Sequence, residues 1–431
     1  MLDGGMLTTV QDLGRVGAQK YGVPESGAMD SLALRAANRL VGNVDTAACL
    51  EMTLGGPELR VGAPLMMALT GADLGALVNG RPIARWQAAS VPADAVLTFS
   101  GVRDGIRAYL AVSGGIDVPP VLGSRSTFTR SALGGFEGRA LRAGDRIPVG
   151  RAPDPRLGSG RRVRPHAIPV YGHAHSLRVV MGPQDDAFTD EGIRTFLAET
   201  YTLSTQSDRI GCRLVGPRIA HRTGADIVSD GTAFGSVQIT GDGMPIVLMA
   251  DRGTTGGYTK IATVIAADLG LLAQAAPGDR IGFVRIGLEE AHALLRGAYA
   301  WLDEMRSSGA GEDGPVAIYE EDSGAALAAG GSLDLAAAIG GRRTTRASSR
   351  DMVRAGMPGL VVSVAVGPGD MVADRQTLLV IEAMKMHSPL RSPHAGRVGR
   401  VLVMPGDLVE PGTDLIELDG TQARDEGHDE R

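Results

Sequence analysis

The sequence predicts a mainly β protein with some α, ending in a small flattened β-barrel. Three observations carry this expectation. First, 61 glycines and 23 prolines stand against an aromatic content of 4%, which asks for many tight turns between short strands rather than a helical bundle. Second, the C-terminal segment repeats itself in strand-like units. Third, the clearest helix signal is a single stretch near the N-terminus.

That stretch is MDSLALRAANRLVGN. Asp30 or Ser31 can cap it, Leu32, Ala36, Ala37, Leu40 and Val41 form one apolar stripe, and Gly42 stops it. Around it, residues 1–305 read as folded structure: short β-branched runs, Gly/Pro turns and a few helices. The 43% hydrophobic content allows a sizeable core, and 431 residues leave room for two or three domains. An internal subdivision is expected near 150–170, where GRAPDPRLGSGRRVRPHAIPV is rich in Gly, Pro and Arg before LRVVMGP restarts as a strand.

After ALLRGAYAWLDEM the composition turns small and Gly/Ala/Ser-rich, so residues 306–350 are predicted to be a flexible linker. As a coil its ends would sit roughly 35 Å apart on average. Residues 351–420 form the next unit, and 421–431 a charged tail. Within the unit, GLVVSVAVGPGDMVADRQTLLVIE from Gly359 aligns without a gap on GRVGRVLVMPGDLVEPGTDLIELD from Gly396. Pro368-Gly369-Asp370 falls on Pro405-Gly406-Asp407, and Val361, Val364, Val366, Val372, Leu378 and Ile381 fall on Val398, Val401, Val403, Val409, Leu415 and Leu418. Two copies of so short a unit bury one shared core as a pseudo-twofold barrel. The connection AMKMHSPLRSPHA then places Lys385, between Met384 and Met386, at an exposed turn.

Charge and composition exclude several classes. A net charge of −6 and a pI near 5.8 argue against a nucleic-acid or membrane-surface binder. The N-terminus lacks the pattern of a signal peptide. The most apolar run, IATVIAADLGLLAQAA, is interrupted by Asp268 and too short to span a bilayer comfortably. Cys49 and Cys212 read as reduced, buried thiols, and a soluble cytoplasmic protein is expected. His173 and His175 share a strand face, but no third ligand is in view, so no metal is expected. Among 43 basic residues only Lys20, Lys260 and Lys385 are lysine. Arginine matches lysine as a surface charge but cannot serve as a primary amine in covalent chemistry.

Residues 351–420, with the repeat and the EAMKM lysine, resemble the biotin carboxyl carrier domain. The resemblance implies biotin on Lys385, flanked by Met384 and Met386, rather than lipoate, whose domains typically read Asp-Lys-Ala there. A cofactor on a long stem and a mobile tether can visit separate sites. Within the first 305 residues, nearly all of 6–290 resembles the second half of the carboxyltransferase region of urea carboxylase, the family also found as the C subunit of bacterial 5-oxoprolinase and as allophanate hydrolase subunit 2. The stretches that carry it are TTVQDLGRVGAQKYGVPESGAMDSLALRAANRLVGN, AYLAVSGGIDVPPVLGSRST, SDRIGCRLVGP and GMPIVLMADRGTTGGYTKIATVIAADLGLLAQAAPGDRI. It implies cyclophilin-like β-barrel units and carboxyl transfer from carboxybiotin to urea or a similar amide.

No GxxxxGK[ST] loop or ATP-grasp-like site is found. ATP, Mg and bicarbonate are therefore expected to be used by a partner biotin carboxylase, beside a companion subunit of the allophanate hydrolase subunit 1 type and a biotin protein ligase. The resemblance also leaves an ATP-dependent 5-oxoprolinase subunit, or a regulatory protein antagonising a kinase inhibitor, as alternatives. Two departures bear on the substrate: Gly253 stands where the family usually has Gln, and Gln238-Ile239-Thr240 where it usually reads Gln-Val-Pro.

Carboxyl transfer needs donors for charge on the leaving ureido oxygen and a group that takes the acceptor's proton. Ser26, Gly27, Thr254, Thr255, Gly256 and Gly257 lie in Gly-rich loops that can bring backbone N–H groups to an oxyanion. Arg15, Arg209, Arg213 and Arg252 match a carboxylate in fork geometry. Asp30, Asp208 or Asp251 can orient those arginines or accept a proton. Gln238 and Tyr258 suit amide recognition, and Lys20 and Lys260 offer amines inside family motifs.

Overall fold

The computed structural model describes residues 1–152, 161–307, 350–383, 386–410 and 412–420. The first body begins with a five-stranded sheet in the order Leu7–Gln11, Cys49–Thr53, Asp104–Val112, Leu65–Asp73 and Ala88–Val91. A second sheet of four short strands, from Leu59–Arg60 to Val96–Phe99, packs on its apolar face around Leu50, Met52, Leu69, Val78, Leu97 and Leu110. Helix α1, Ser31–Leu40, covers the other face. Its cap is settled as Asp30, whose carboxylate accepts the Ala33 N–H at 3.0 Å. Gly42, at φ 79°, leaves the helix in the left-handed region that a side chain disfavours.

The second body is a closed seven-stranded barrel. Its order is Ala174–Met181, Lys260–Val264, Ser236–Ile239, Pro245–Leu248, Gly211–Val215, Tyr201–Leu203 and Arg280–Arg285. Closure comes from the parallel pairing of Ala174–Met181 with Arg280–Arg285. Helix α2, Asp190–Ala198, is capped by Thr189 and stacks Phe196 on Phe283 at 4.4 Å. Helix α3, Leu269–Gln274, packs against the first body's strand Asp104–Val112. Helix α4, Leu288–Ser307, then returns to α1, where Trp301, Leu302 and Met305 join its apolar cluster and Arg39 meets Asp303 at 2.7 Å. Met29, which enters the barrel's core, and the α3 and α4 returns thus bind the barrel to the first body.

Residues 350–420 form two four-stranded sheets with their own core. The repeat is realised strand for strand: Gly359–Val364, Met371–Val372 and Thr377–Ala383 recur as Gly396–Val401, Leu408–Val409 and Asp414–Gly420. The copies exchange their short strands, since Met371–Val372 pairs with Gly396–Val401 and Leu408–Val409 pairs with Gly359–Val364. Equivalent residues Val361 and Val398, Leu378 and Leu415, and Ile381 and Leu418 meet in the core. Gly369 and Gly406 both have φ near 100° (96° and 100°), the conformation the PGD turns require. Met384 and Lys385 lie outside the described residues. The strands beside them, Thr377–Ala383 and Met386–Arg391, pair down to Ala383 opposite Met386. The expected linker, from residue 308 to 349, and the tail also lie outside.

Candidate functional site

The loop between Gln11 and α1 meets the barrel at a buried charge cluster. Arg209 forks onto Asp251, Nε to Oδ2 at 2.9 Å and Nη2 to Oδ1 at 3.1 Å, gives Nη2 to the Gly27 carbonyl at 2.6 Å, and pairs through Nη1 with Glu51. Glu51 also accepts the Met29 N–H at 2.9 Å and the Tyr109 hydroxyl at 2.8 Å. Burial alone would lower the guanidinium pKa, but Asp251 and Glu51 outweigh it and hold Arg209 charged. Ser26 and Gly27 take φ values of 56° and 93°, and a Cβ on Gly27 would stand 2.9 Å from the Gly14 amide. The outgoing and returning limbs of this loop therefore cross at backbone contact.

Arg15 lies under this crossing, fully buried. Its Nη2 donates to the Ser126 carbonyl, while Nε and Nη1 have no partner among the described residues, and neither does Ser26 Oγ. Burial lowers the Arg15 pKa, with Asp12 and Asp251 opposing. Unpaired buried donors on a cation are costly unless an acceptor arrives.

Beside the cluster, the strands Asp226–Gly231 and Thr255–Tyr258 pair antiparallel as a separate two-stranded ribbon. Gln19 reaches Thr232 O at 3.4 Å, and Arg252 pairs with Glu25 at 2.7 Å, tying the ribbon's base to the first body. Lys260 is buried with Nζ 3.0 Å from Asp230, whose carboxyl that bond pulls below its ordinary range. Gln238 Nε2 donates to Tyr258 O at 3.5 Å, and a Cβ on Gly256 would displace that Gln238 amide. The structure thus joins Arg15, Ser26, Gly27, Arg209 and Asp251 in one junction. It places Thr255, Gly256, Gly257 and Tyr258 in the two-stranded ribbon beside it, Thr254 at that ribbon's edge, and Gln238 and Lys260 on the neighbouring barrel strands.

Other expected residues lie elsewhere. Lys20 is exposed, its Nζ 5.0 Å from the Tyr21 ring centroid. Arg213 faces solvent from its strand, and Asp208 caps the Ile210 and Gly211 amides and meets Arg130 at 3.3 Å. Asp30 orients no arginine. Its second oxygen accepts from Gln274 Nε2 at 3.0 Å, and burial raises its pKa, with Gln274 and the Ala33 amide opposing. Asp30 instead floors a cavity of about 260 Å³ between α1, α3 and α4, walled by Trp86, Trp301, Tyr171, Leu32 and Leu271. Glu51, Gln274 and the tryptophans were not foreseen. Glu51 left a signal, a charge inside the wholly buried strand CLEMT. His173 and His175 lie 2.8 and 3.6 Å from Asp279, and no cluster of three or more ligand side chains suited to a metal occurs among the described residues.

The small C-terminal domain sits on the first body through its hairpin. Ala383 is fully buried in a cluster with Leu54 and Ile106, edged by Met6, Val102 and Ala276. Toward the hairpin's other end, Arg375 meets Glu58 at 3.1 Å. A two-sheet carrier domain seated by its hairpin on a barrel-bearing body defines a carrier-dependent transfer protein.

Comparison with known proteins makes the class specific. Residues 21–285 match the model of the carboxyltransferase domain, subdomain A and B, and residues 351–418 match that of the biotin-requiring enzymes. The chain belongs to this carboxyltransferase family, carries a C-terminal biotinyl domain, and uses covalent biotin. It is 38% identical over 306 residues to the C subunit of 5-oxoprolinase from Haemophilus influenzae, across 71% of this chain and 97% of that protein. Its C-terminal part is 49% identical over 63 residues to the mitochondrial propionyl-CoA carboxylase alpha chain of Mus musculus, 15% of this chain and 9% of that one. The crystal structure of the K. lactis urea amidolyase matches with a TM-score of 0.67 at 33% identity, over 70% of this chain and 20% of that much longer one. No helix among the described residues is long and apolar enough to cross a membrane.

Proposed function

We propose that this chain is the carboxyltransferase component of a biotin-dependent carboxylase, bearing biotin on Lys385 and acting on urea or a similar small amide. The observation that supports it most is the seating of Ala383, two residues before Lys385, on the carboxyltransferase body. Bound biotin supplies a ureido nitrogen that carries a carboxyl group between sites. The chain's own residues supply the receiving surface. Arg15 offers two unpaired guanidinium donors to a carboxylate or developing oxyanion. The Arg209–Asp251–Glu51 cluster fixes the loop that carries Ser26 and Gly27. Lys260, on a barrel strand and paired with Asp230 of the two-stranded ribbon, holds a positive charge beside them. ATP-dependent charging is assigned to a separate biotin carboxylase, and the acceptor side is completed by a companion subunit.

A second reading, a component of an ATP-dependent 5-oxoprolinase, is favoured by the 38% identity to one of that enzyme's subunits. More than a quarter of this chain has no counterpart in that relative, which favours the carrier-dependent reading. The test is a complex reconstituted with biotin carboxylase and companion subunit, assayed for ATP turnover with urea and with 5-oxoproline. Turnover driven by 5-oxoproline alone overturns the first reading, and turnover driven by neither overturns both. In the active complex Arg15→Met is expected to lower kcat about 100-fold or more, with biotin attachment intact by streptavidin blot.

A further inference from the structure

We propose that the cavity between α1, α3 and α4 binds a small organic ammonium ion, with Asp30 as its counter-ion and Trp86, Trp301 and Tyr171 as its walls. The acceptor of the proposed reaction is a neutral amide, so this is a second site, and it stands whether or not that reading holds.

Asp30 carries the argument. It is 4% exposed, and its side-chain partners are neutral: Oδ1 accepts the Ala33 N–H and Oδ2 accepts from Gln274 Nε2, both at 3.0 Å. Both oxygens accept a bond and neither donates one, which is how an ionised carboxylate bonds. Glu51, the charged group that acts on it, has the same sign. Asp251, Glu51 and Asp268, comparably buried, each face an arginine. Buried charges are paired as a rule, and among the described residues none supplies the cation for Asp30. The cavity beside it has room for one, at about 260 Å³. Gly270 of α3 lines it and leaves Asp30 uncovered, since a Cβ there would stand 2.9 Å from Asp30 Oδ1. The remaining walls are aromatic or aliphatic, with no Lys, Arg or His. An anion would find no counter-charge there, and a metal ion would find a single carboxylate. Aromatic rings around one carboxylate suit an organic cation, which the ring faces attract. Trp86 is 1% exposed and its indole N–H has no acceptor among the described residues, so an oxygen on the ligand's stem is the group it lacks.

The place of the cavity makes its occupant an effector. The Asp30 N–H donates to Tyr109 Oη at 2.8 Å, and Tyr109 Oη donates to Glu51, which holds Arg209. On its other side Gln274, the residue that holds Asp30, accepts the Ile106 and Arg107 amides on Oε1, and Ile106 is where the carrier's Ala383 packs. One bonded chain therefore joins the cavity's carboxylate to the charged junction and to the carrier's seat. Trp301 brings α4, the helix that precedes residues 308–349, to the same cavity.

Probes of like size and different charge test the assignment. Trp86 and Trp301 are the only tryptophans in the chain, and intrinsic fluorescence therefore reports on this cavity directly. The full chain is titrated at neutral pH with n-pentylamine, 3-methoxypropylamine, 1-pentanol and pentanoate. The expected result is a saturable emission change with both amines, binding at least about tenfold weaker for the alcohol, the loss of a charged hydrogen bond, and no response to pentanoate. Asp30→Asn keeps a side chain that caps α1 but removes the charge, and should bring the amines to the level of the alcohol. Trp86→Phe should shift the preference between the two amines about fivefold to tenfold against the ether. Ala298→Leu, which narrows the cavity from α4, should weaken both. An alcohol that binds as tightly as the amine, binding of pentanoate, or no saturable response to any probe overturns the proposal. So does full amine affinity in Asp30→Asn. The wild-type series decides the matter by itself should that variant fail to fold.

Discussion

Arg209 shows how a residue proposed for chemistry can serve as the brace of a site. Buried at the junction, it ties two carboxylates and the Gly27 carbonyl across two bodies. Removing one partner of such a buried set leaves uncompensated charge, a loss of about 3–5 kcal/mol. Arg209→Ala is therefore expected to lower stability by that amount in urea denaturation, whereas Arg213→Ala, on an exposed strand face, should change it by less than about 0.5 kcal/mol. Equal effects would refute the distinction.

Asp279 gives a residue-scale prediction with a pH sign. Burial works to raise its pKa, but His175, the Ala276 amide and His173 outweigh it, so the folded value lies below the ordinary 3.8. A depressed folded pKa gives stability that is present above the unfolded value and lost as pH falls through the folded one. Asp279→Asn should cost about 1–3 kcal/mol at pH 7, and its gap from wild type should narrow in denaturation series run below pH 3.8. A gap that stays constant from neutral pH down to that range would count against the assignment.

At the scale of elements, the hairpin Thr377–Ala383/Met386–Arg391 has two holds on the first body, of unequal strength. Arg375 and Glu58 are both partly solvated (65% and 25% exposed side chains), and such a pair contributes about 0–1 kcal/mol. Ala383 is completely enclosed, and nothing larger than its methyl fits without displacing Leu54 or Ile106. The apolar seat should therefore dominate, with the ion pair setting orientation. Leu54 and Glu58 donate to Ile106 and Asp3 inside the first body, so Ala383→Trp is expected to lower, not abolish, hydrogen-exchange protection of residues 54–58, while Arg375→Glu should lower it only slightly and be restored by Glu58→Arg. Protection undiminished in Ala383→Trp would show that the hairpin is held elsewhere.

The elements also separate what the sequence could disclose from what it could not. The gapless PGD repeat disclosed the carrier's strands because each copy writes the same turn and the same core positions. The α1 stripe and Gly42 disclosed that helix, though only geometry chose Asp30 over Ser31 as its cap. Barrel closure through Ala174–Met181 and Arg280–Arg285 was hidden, because the two strands lie about a hundred residues apart and neither needs the other to read as a strand. The site divides the same way. Arg15, Arg209 and Lys260 stood out by residue type within recognised stretches. Gln274, which links the carrier's seat to Asp30, looks in sequence like one polar residue in an apolar run.

On the scale of the whole molecule, the seat and the tether make one argument. The carrier has a core of its own, and among the described residues its hold on the body is a small apolar seat around Ala383 and Met357 with a weak ion pair. Such a contact gains from the two parts being one chain: where the joining segment is flexible, as its composition predicts, it sets an effective concentration in the mM range. The sequence of residues 306–350 fits that role by composition. Cutting the chain there, at a protease site introduced near residue 330, should leave both parts folded and make the seat concentration-dependent. At about 10 µM protein the docked-to-free ratio should fall by about 100-fold, the quotient of those concentrations. Hydrogen exchange at residues 54–58 before and after cleavage reads this directly, with protection returning as excess carrier is added. Protection that survives cleavage undiminished at low concentration would mean that the seat is a permanent interface, and that a carrier fixed there cannot travel to a separate charging enzyme.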